Sequence, residues 1–153
     1  MSDSAFHLLQ PAFEHAHGTT LWIADENALR PQHLTHPNAA ITVISNRFDL
    51  YQQLGQNGWQ VQFSDFDLSG YPDNSVDRII YRISKEKPVV HHIINQALRV
   101  LREGGELYIA GQKNEGIKTY LDKAKQLFAG QLETSKADKN TWMGQLRCPA
   151  VAN

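Results

Sequence analysis

At 153 residues the chain has the length of one domain and enough material for a sizeable core. It is 41% hydrophobic and 20% charged, and it has no apolar run of about 18 residues and no basic stretch ahead of an apolar one near its start, so neither a membrane helix nor a signal peptide is expected. A single cysteine, Cys148, excludes an internal disulfide and a cysteine-cluster metal site, and the expectation is a cytoplasmic protein with no membrane partner. The net charge of −1 hides an asymmetry: residues 1–77 hold two basic and nine acidic residues, residues 78–153 thirteen basic and seven acidic. Such a split fits a face for nucleic acid or an acidic partner, and equally an ordinary charged helix surface.

Residues 4–17 read as a helix that Pro11 bends or interrupts, closed by His15, His17 and Gly18. Thr20–Ala24 (TLWIA) is a short apolar run suited to a buried strand. Pro31 and Pro37 leave room only for a short helix near 31–35. Ala40–Ile44 is a second buried strand, rich in β-branched residues. Ser45 or Asn46 can cap a helix to about Gln56, with Phe48, Leu50, Tyr51 and Leu54 as its apolar positions. Trp59–Phe63 alternates apolar with polar, as an edge-side strand does, and residues 64–75 form a polar loop.

Val76–Ile83 reads as a fourth strand. Ser84 and Pro88 open a helix through Arg102, striped by Val90, Ile93, Ile94, Ala97, Leu98 and Leu101 and stopped by Gly104-Gly105. Glu106–Gly111 is a fifth strand. Asn114 caps a helix to about Phe128, with Ile117, Tyr120, Leu121, Ala124 and Leu127 inward. Two weaker strands near 131–136 and 141–147 are joined by a short turn. Strand alternating with helix predicts a mostly parallel, doubly wound α/β sheet, and the short last connection adds an antiparallel strand at its end.

Pro72-Asp-Asn-Ser-Val-Asp77 with Arg78-Ile-Ile-Tyr81, and Gln96 to Ala110 (QALRVLREGGELYIA), resemble the class I methyltransferase loop into its fourth strand and the helix that feeds its fifth. Over nearly the whole chain, Thr20–Leu29 (TLWIADENAL), Ile83–Pro88 (ISKEKP), Ile109–Lys118 (IAGQKNEGIK) and Trp142–Arg147 (WMGQLR) resemble the N-terminal domain of bacterial ribosomal RNA guanine-N2 methyltransferases of the RsmC/RlmG type. The resemblance implies a Rossmann-like class I methyltransferase fold over residues 1–153 as a single methyltransferase-like domain. It also implies a degenerate first copy beside a catalytic methyltransferase domain or subunit, with ribosomal RNA as a partner.

In the family that this chain resembles, the cofactor S-adenosylmethionine sits at the carboxyl ends of the first strands, and the loop after the first strand carries glycines. Here that loop reads Ala24-Asp-Glu-Asn-Ala-Leu-Arg-Pro31, without a glycine. Asp25 stands near the place of an acidic residue in active relatives; it reads as a vestigial contact or, with Asn27, as a helix cap. Ser45-Asn46 replaces the carboxylate expected to hold the ribose hydroxyls. Asp65 and Phe66 occupy the place of the adenine contact, the best cofactor-like feature left, although an aspartate there is also a common turn former. After the fourth strand, Tyr81-Arg-Ile-Ser-Lys85 has no part of the Asn-Pro-Pro-aromatic signature that holds a guanine.

The expectation is therefore a non-catalytic domain without a cofactor; S-adenosylmethionine returns as cofactor under the alternative of an active methyltransferase with an atypical loop. A third reading is an interaction module that uses an exposed sheet edge. Arg82, Lys85, Lys87, Lys113 and Lys118 all fall near the carboxyl ends of the fourth and fifth strands, where they converge on RNA phosphates or form a solvated rim. Seven histidines include the close pairs His15/His17 and His91/His92, neither with the i, i+4 spacing that puts two imidazoles on one helix face, so no metal site is expected.

Overall fold

The computed structural model describes residues 4–24 and 39–149. In chain order it contains α1 (Ser4–Glu14), β1 (Thr20–Ala24), β2 (Ile41–Ser45), α2 (Phe48–Gln56), β3 (Gln60–Phe63), β4 (Val76–Arg82), α3 (Lys87–Val100), β5 (Leu101–Gln112), α4 (Ile117–Leu127), β6 (Leu132–Asp138) and β7 (Thr141–Arg147). The seven strands form one sheet in the order β3-β2-β1-β4-β5-β7-β6. The first five are mutually parallel; β7 runs antiparallel to β5, and β6 antiparallel to β7.

Strand periodicity divides the core in two. Leu21, Ile23, Ile79, Tyr81, Leu107 and Ile109 face α3 and α4. Trp22, Ala24, Val43, Ile80, Tyr108 and Ala110 face α1 and α2. Helices thus cover both faces, and β1, between two strands and two helical layers, is buried at every residue. Only one of β3's four residues is even half-buried, as befits an edge. None of the described helices is long and apolar enough to cross a membrane.

Several local expectations are corrected. α1 runs through Pro11 without interruption. The proline removes one donor only, its carbonyl still accepts from the His15 amide at 3.0 Å, and burial of Phe6, Leu9, Ala12 and Phe13 holds the helix to the sheet. α3 stops at Val100 rather than at the glycine pair. Leu101 already pairs with Val76, and the next pair is Arg78 with Glu106, so residues 102–105 bulge out of β5. Gly104, at φ +79, serves that bulge and does not cap the helix.

Asn114 does not cap α4. It lies in a single 3₁₀ turn, Lys113–Glu115, and Gly116 at φ +92 redirects the chain into the helix. In α2 only Leu50 and Leu54 are buried. Phe48 and Tyr51, the other apolar positions of this helix, are 56% and 38% exposed and pack with the exposed Phe63 at ring separations of 5.7–6.0 Å. Among the described residues no strand lies beyond β3 to cover them. The expected short helix near 31–35 lies outside the described residues.

Candidate functional site

In an open parallel sheet, ligands bind beyond the carboxyl ends of the strands, where the strand order reverses. Here that rim is made by the ends of β1 to β5 at Ala24, Ser45, Phe63, Arg82 and Gln112. Antiparallel pairing puts Thr141, the first residue of β7, opposite Gln112, so the turn between β6 and β7 stands on the same rim. The loop after β1, with Asp25 and Asn27, lies outside the described residues.

Ser45 is fully buried, and its Oγ accepts the Arg47 amide at 3.1 Å. It caps no helix: Arg47 is the N-cap of α2, and its side chain makes no capping bond. Phe66 is 2% exposed at φ +58, its ring in the core beside Ile44 and Leu68. Its carbonyl accepts from His92 Nε2 at 2.9 Å. Neither side chain presents an atom to a ligand on the rim. Asp65 is exposed, and the neighbouring Asp67 closes a tight turn by accepting the Ser69 amide at 2.9 Å.

The exit from β4 is also turned inward. Arg82, expected to reach RNA, is 4% exposed, and its Nη1 donates to the Ile83 carbonyl at 2.8 Å and to Glu115 Oε1 at 2.6 Å. A guanidinium held in this way is turned into the interior and away from the solvent side of the rim. The Glu115 carboxylate also accepts the Gln112 amide at 2.8 Å, so one ion pair ties the end of β4 to the turn after β5. Ile83 is fully buried over Gly111, where an added Cβ would come within 2.4 Å of it. Ser84 is 4% exposed, and its Oγ accepts the Glu86 amide at 3.2 Å.

Lys85, Lys87, Lys113 and Lys118 are exposed. Lys113 and Lys118 join residues whose role the sequence pattern did not reveal. The Lys113 amide donates to the Asn140 carbonyl at 2.8 Å, which fastens the turn after β5 to the β6–β7 turn. Lys136 pairs across the strands with Trp142. The ammoniums of Lys136 and Lys118 lie 4.6 and 5.2 Å from the Trp142 ring centroid. The indole N–H reaches the Lys139 carbonyl at 3.4 Å. Among the described residues, no carboxylate pairs with Lys113, Lys118, Lys136 or Lys139.

The acid in that turn, Asp138, is taken up locally. The Asn140 amide, followed by bonds from Thr141, holds its carboxyl below the usual carboxylate range. Only the register of β6 against β7 brings Lys136 to Trp142, so the spacing of lysines around the turn was the sole signal available beforehand. The histidine pair on α3 diverges: His92 meets the Phe66 carbonyl, and His91 Nδ1 meets Lys123 Nζ at 2.9 Å. Among the described residues no three His, Cys, Asp or Glu side chains gather as a metal site would require.

Residues 8–141 match the family described as "Methyltransferase small domain N-terminal". No curated protein matches the chain by sequence at a significant level. The fold is similar to the T. thermophilus 16S rRNA N2 G1207 methyltransferase RsmC, solved with AdoMet and guanosine. The TM-score is 0.80 at 21% identity, over 99% of this chain and 40% of that one. This chain therefore spans about 40% of the length of that relative. The N-methyltransferase NodS from Bradyrhizobium japonicum, solved with S-adenosyl-L-homocysteine, matches at TM-score 0.59 and 14% identity, over 93% of this chain and 83% of that one. A SAM-dependent O-methyltransferase from Thermotoga maritima matches at TM-score 0.66 and 11% identity, over 100% and 68%. The sheet order and these neighbours make the fold that of class I methyltransferases.

Proposed function

The chain belongs to the methyltransferase small domain N-terminal family, and from that premise we propose that it is a non-catalytic, methyltransferase-like domain of a cytoplasmic ribosomal RNA guanine-N2 methylation system. It works beside a catalytic methyltransferase domain or subunit and helps hold the RNA. The observation that carries this reading is the exit from β4. A domain that methylates a flipped base needs an open pocket there, lined by groups that orient the exocyclic nitrogen. In this chain Arg82, Ile83 and Ser84 are all turned into the interior, and the ion pair with Glu115 closes the position. The burial of Ser45 and Phe66 supports the same reading for the cofactor, since neither side chain faces the rim where S-adenosylmethionine would lie. The similarity to RsmC favours ribosomal RNA and a catalytic companion as the context.

Isothermal calorimetry of the chain with S-adenosylmethionine and S-adenosylhomocysteine tests the first half. No binding heat is expected; micromolar binding overturns the non-catalytic reading and restores the active alternative. Fluorescence anisotropy with a structured RNA fragment across a salt series tests the second. Binding falls steeply with salt, and Lys85→Gln with Lys87→Gln lowers the slope by roughly one for each phosphate that is no longer neutralised. Absent binding, or binding that salt and both substitutions leave unchanged, removes the RNA role.

A further inference from the structure

We propose that Trp142, with Lys118 and Lys136, is the seat of an unpaired nucleotide, so that this rim grips single-stranded rather than duplex RNA. The inference rests on the reading that the domain contacts RNA, and it names where and in what form. Trp142 is half-buried on β7, pinned through its indole N–H to the Lys139 carbonyl, with two exposed lysines at its ring. These lysines approach from different elements, Lys118 from α4 and Lys136 from β6. They have no carboxylate partner among the described residues, and Lys113 and Lys139 flank them on the same rim.

An ammonium resting on the half-buried indole is held more weakly than a base stacked on its open aromatic face. An arriving base therefore displaces a lysine from the ring. The displaced ammonium does not lose its electrostatic role, because the phosphates on either side of that base lie within its reach. The exchange gives one aromatic contact and two or more ionic contacts for each nucleotide seated. Paired bases in a duplex keep their faces covered by stacking and cannot use the indole, although their phosphates can still meet the lysines. Asp138, the carboxylate nearest in sequence to Lys136, is engaged by the Asn140 and Thr141 amides, and Glu115, the one nearest to Lys118, is paired with Arg82, so neither competes for the lysines.

The test compares a short single-stranded oligoribonucleotide with a blunt-ended duplex of the same composition, each labelled and titrated with the whole chain. Trp142→Ala weakens single-strand binding by about five- to a hundredfold, the value of one stacked base, and leaves duplex binding within about twofold. Trp142→Phe restores most of the single-strand affinity, whereas Trp142→Leu, which keeps an apolar side chain without an aromatic face, does not. Lys118→Gln and Lys136→Gln each lower the salt slope for both RNAs by about one. If the unaltered chain binds RNA and Trp142→Ala binds both RNAs as before, the inference fails and the RNA reading survives. Equal restoration by Phe and Leu also overturns it, since packing alone then accounts for the weakening. If the unaltered chain binds neither RNA, the inference and the reading fall together.

Discussion

The two halves of the sheet are held by different chemistry. β1, β2 and β3 stand together on one side, and β4, β5, β7 and β6 on the other. In the first half cohesion is aromatic and aliphatic: Trp22 meets Phe6, Phe13 and Trp59 at 6.5, 5.2 and 5.5 Å, and surplus rings, Phe48, Tyr51 and Phe63, lie on the surface. The ion pair described there, Arg47–Asp49, is exposed. The second half buries two arginine–glutamate pairs on one strand. Arg78 joins Glu106 at 2.8 Å and also donates to the Ala12 carbonyl of α1 at 2.9 Å, while Arg82 joins Glu115. The strand order keeps the early strands on one side and the late strands on the other, while Asp73 and Asp77 of the acidic stretch pair with Arg99 and Arg102 of the basic one. One layered fold thus carries an aromatic interior around β1 and two buried ion pairs along β4.

Removing one partner of the buried pair gives the largest expected effect. Arg82→Met leaves Glu115 charged and unpaired and costs about 3–5 kcal/mol in urea unfolding. Joining it with Glu115→Leu recovers part of that stability, since no unpaired charge is left buried although the Gln112 amide loses its acceptor. A double variant as unstable as the single one would show that the pair is not the unit that holds this half. In the aromatic half, Leu50→Ala opens a cavity under α2 and costs about 2–5 kcal/mol, with no added dependence on pH.

Acid reaches the two halves unequally. Burial pushes the Glu106 carboxyl up, but the hydrogen bond and charge of Arg78, with bonds from Tyr108 and Gln145, outweigh it and hold the group below its usual range. A depressed carboxylate contributes stability that is present above its unfolded value and lost as pH falls through its folded value. Stability measured by urea midpoint therefore declines through the carboxylate range, and Glu106→Gln flattens that decline. A decline of equal depth in Glu106→Gln would move its origin elsewhere. The smallest effect belongs to Phe48→Ser, which changes stability by no more than about 0.5 kcal/mol because the ring is already exposed. A larger drop would mean that the surface aromatic cluster is structural after all.

Particular elements show how much was legible in advance. The apolar runs of β1 and β2 and the stripe of α3 announce buried strands and a helix because their periods depend only on local geometry. The glycine pair was visible, but its role was not. A bulge is defined by the register of β5 against β4, a relation between residues far apart in sequence. Arg82 looked like a phosphate contact from its place at a strand end, and it became a buried pair only when Glu115 arrived from the turn beyond β5. The lysine and tryptophan group followed the same logic: Lys118, Lys136 and Trp142 belong to three elements, and hairpin register together with the packing of α4 on β7 assembles them.

By itself, the sequence determined the α/β alternation, the doubly wound sheet with its antiparallel close and the imbalance of charge between its halves. Each of these is written in local periodicity, turn residues and composition. Tertiary structure alone decided which polar side chains are spent inward and which stand free. That choice turns on burial and on partners brought from distant strands, and a charge with a partner in a low-dielectric interior has no freedom left for a ligand. On this rim, the arginine is locked and the lysines stand open.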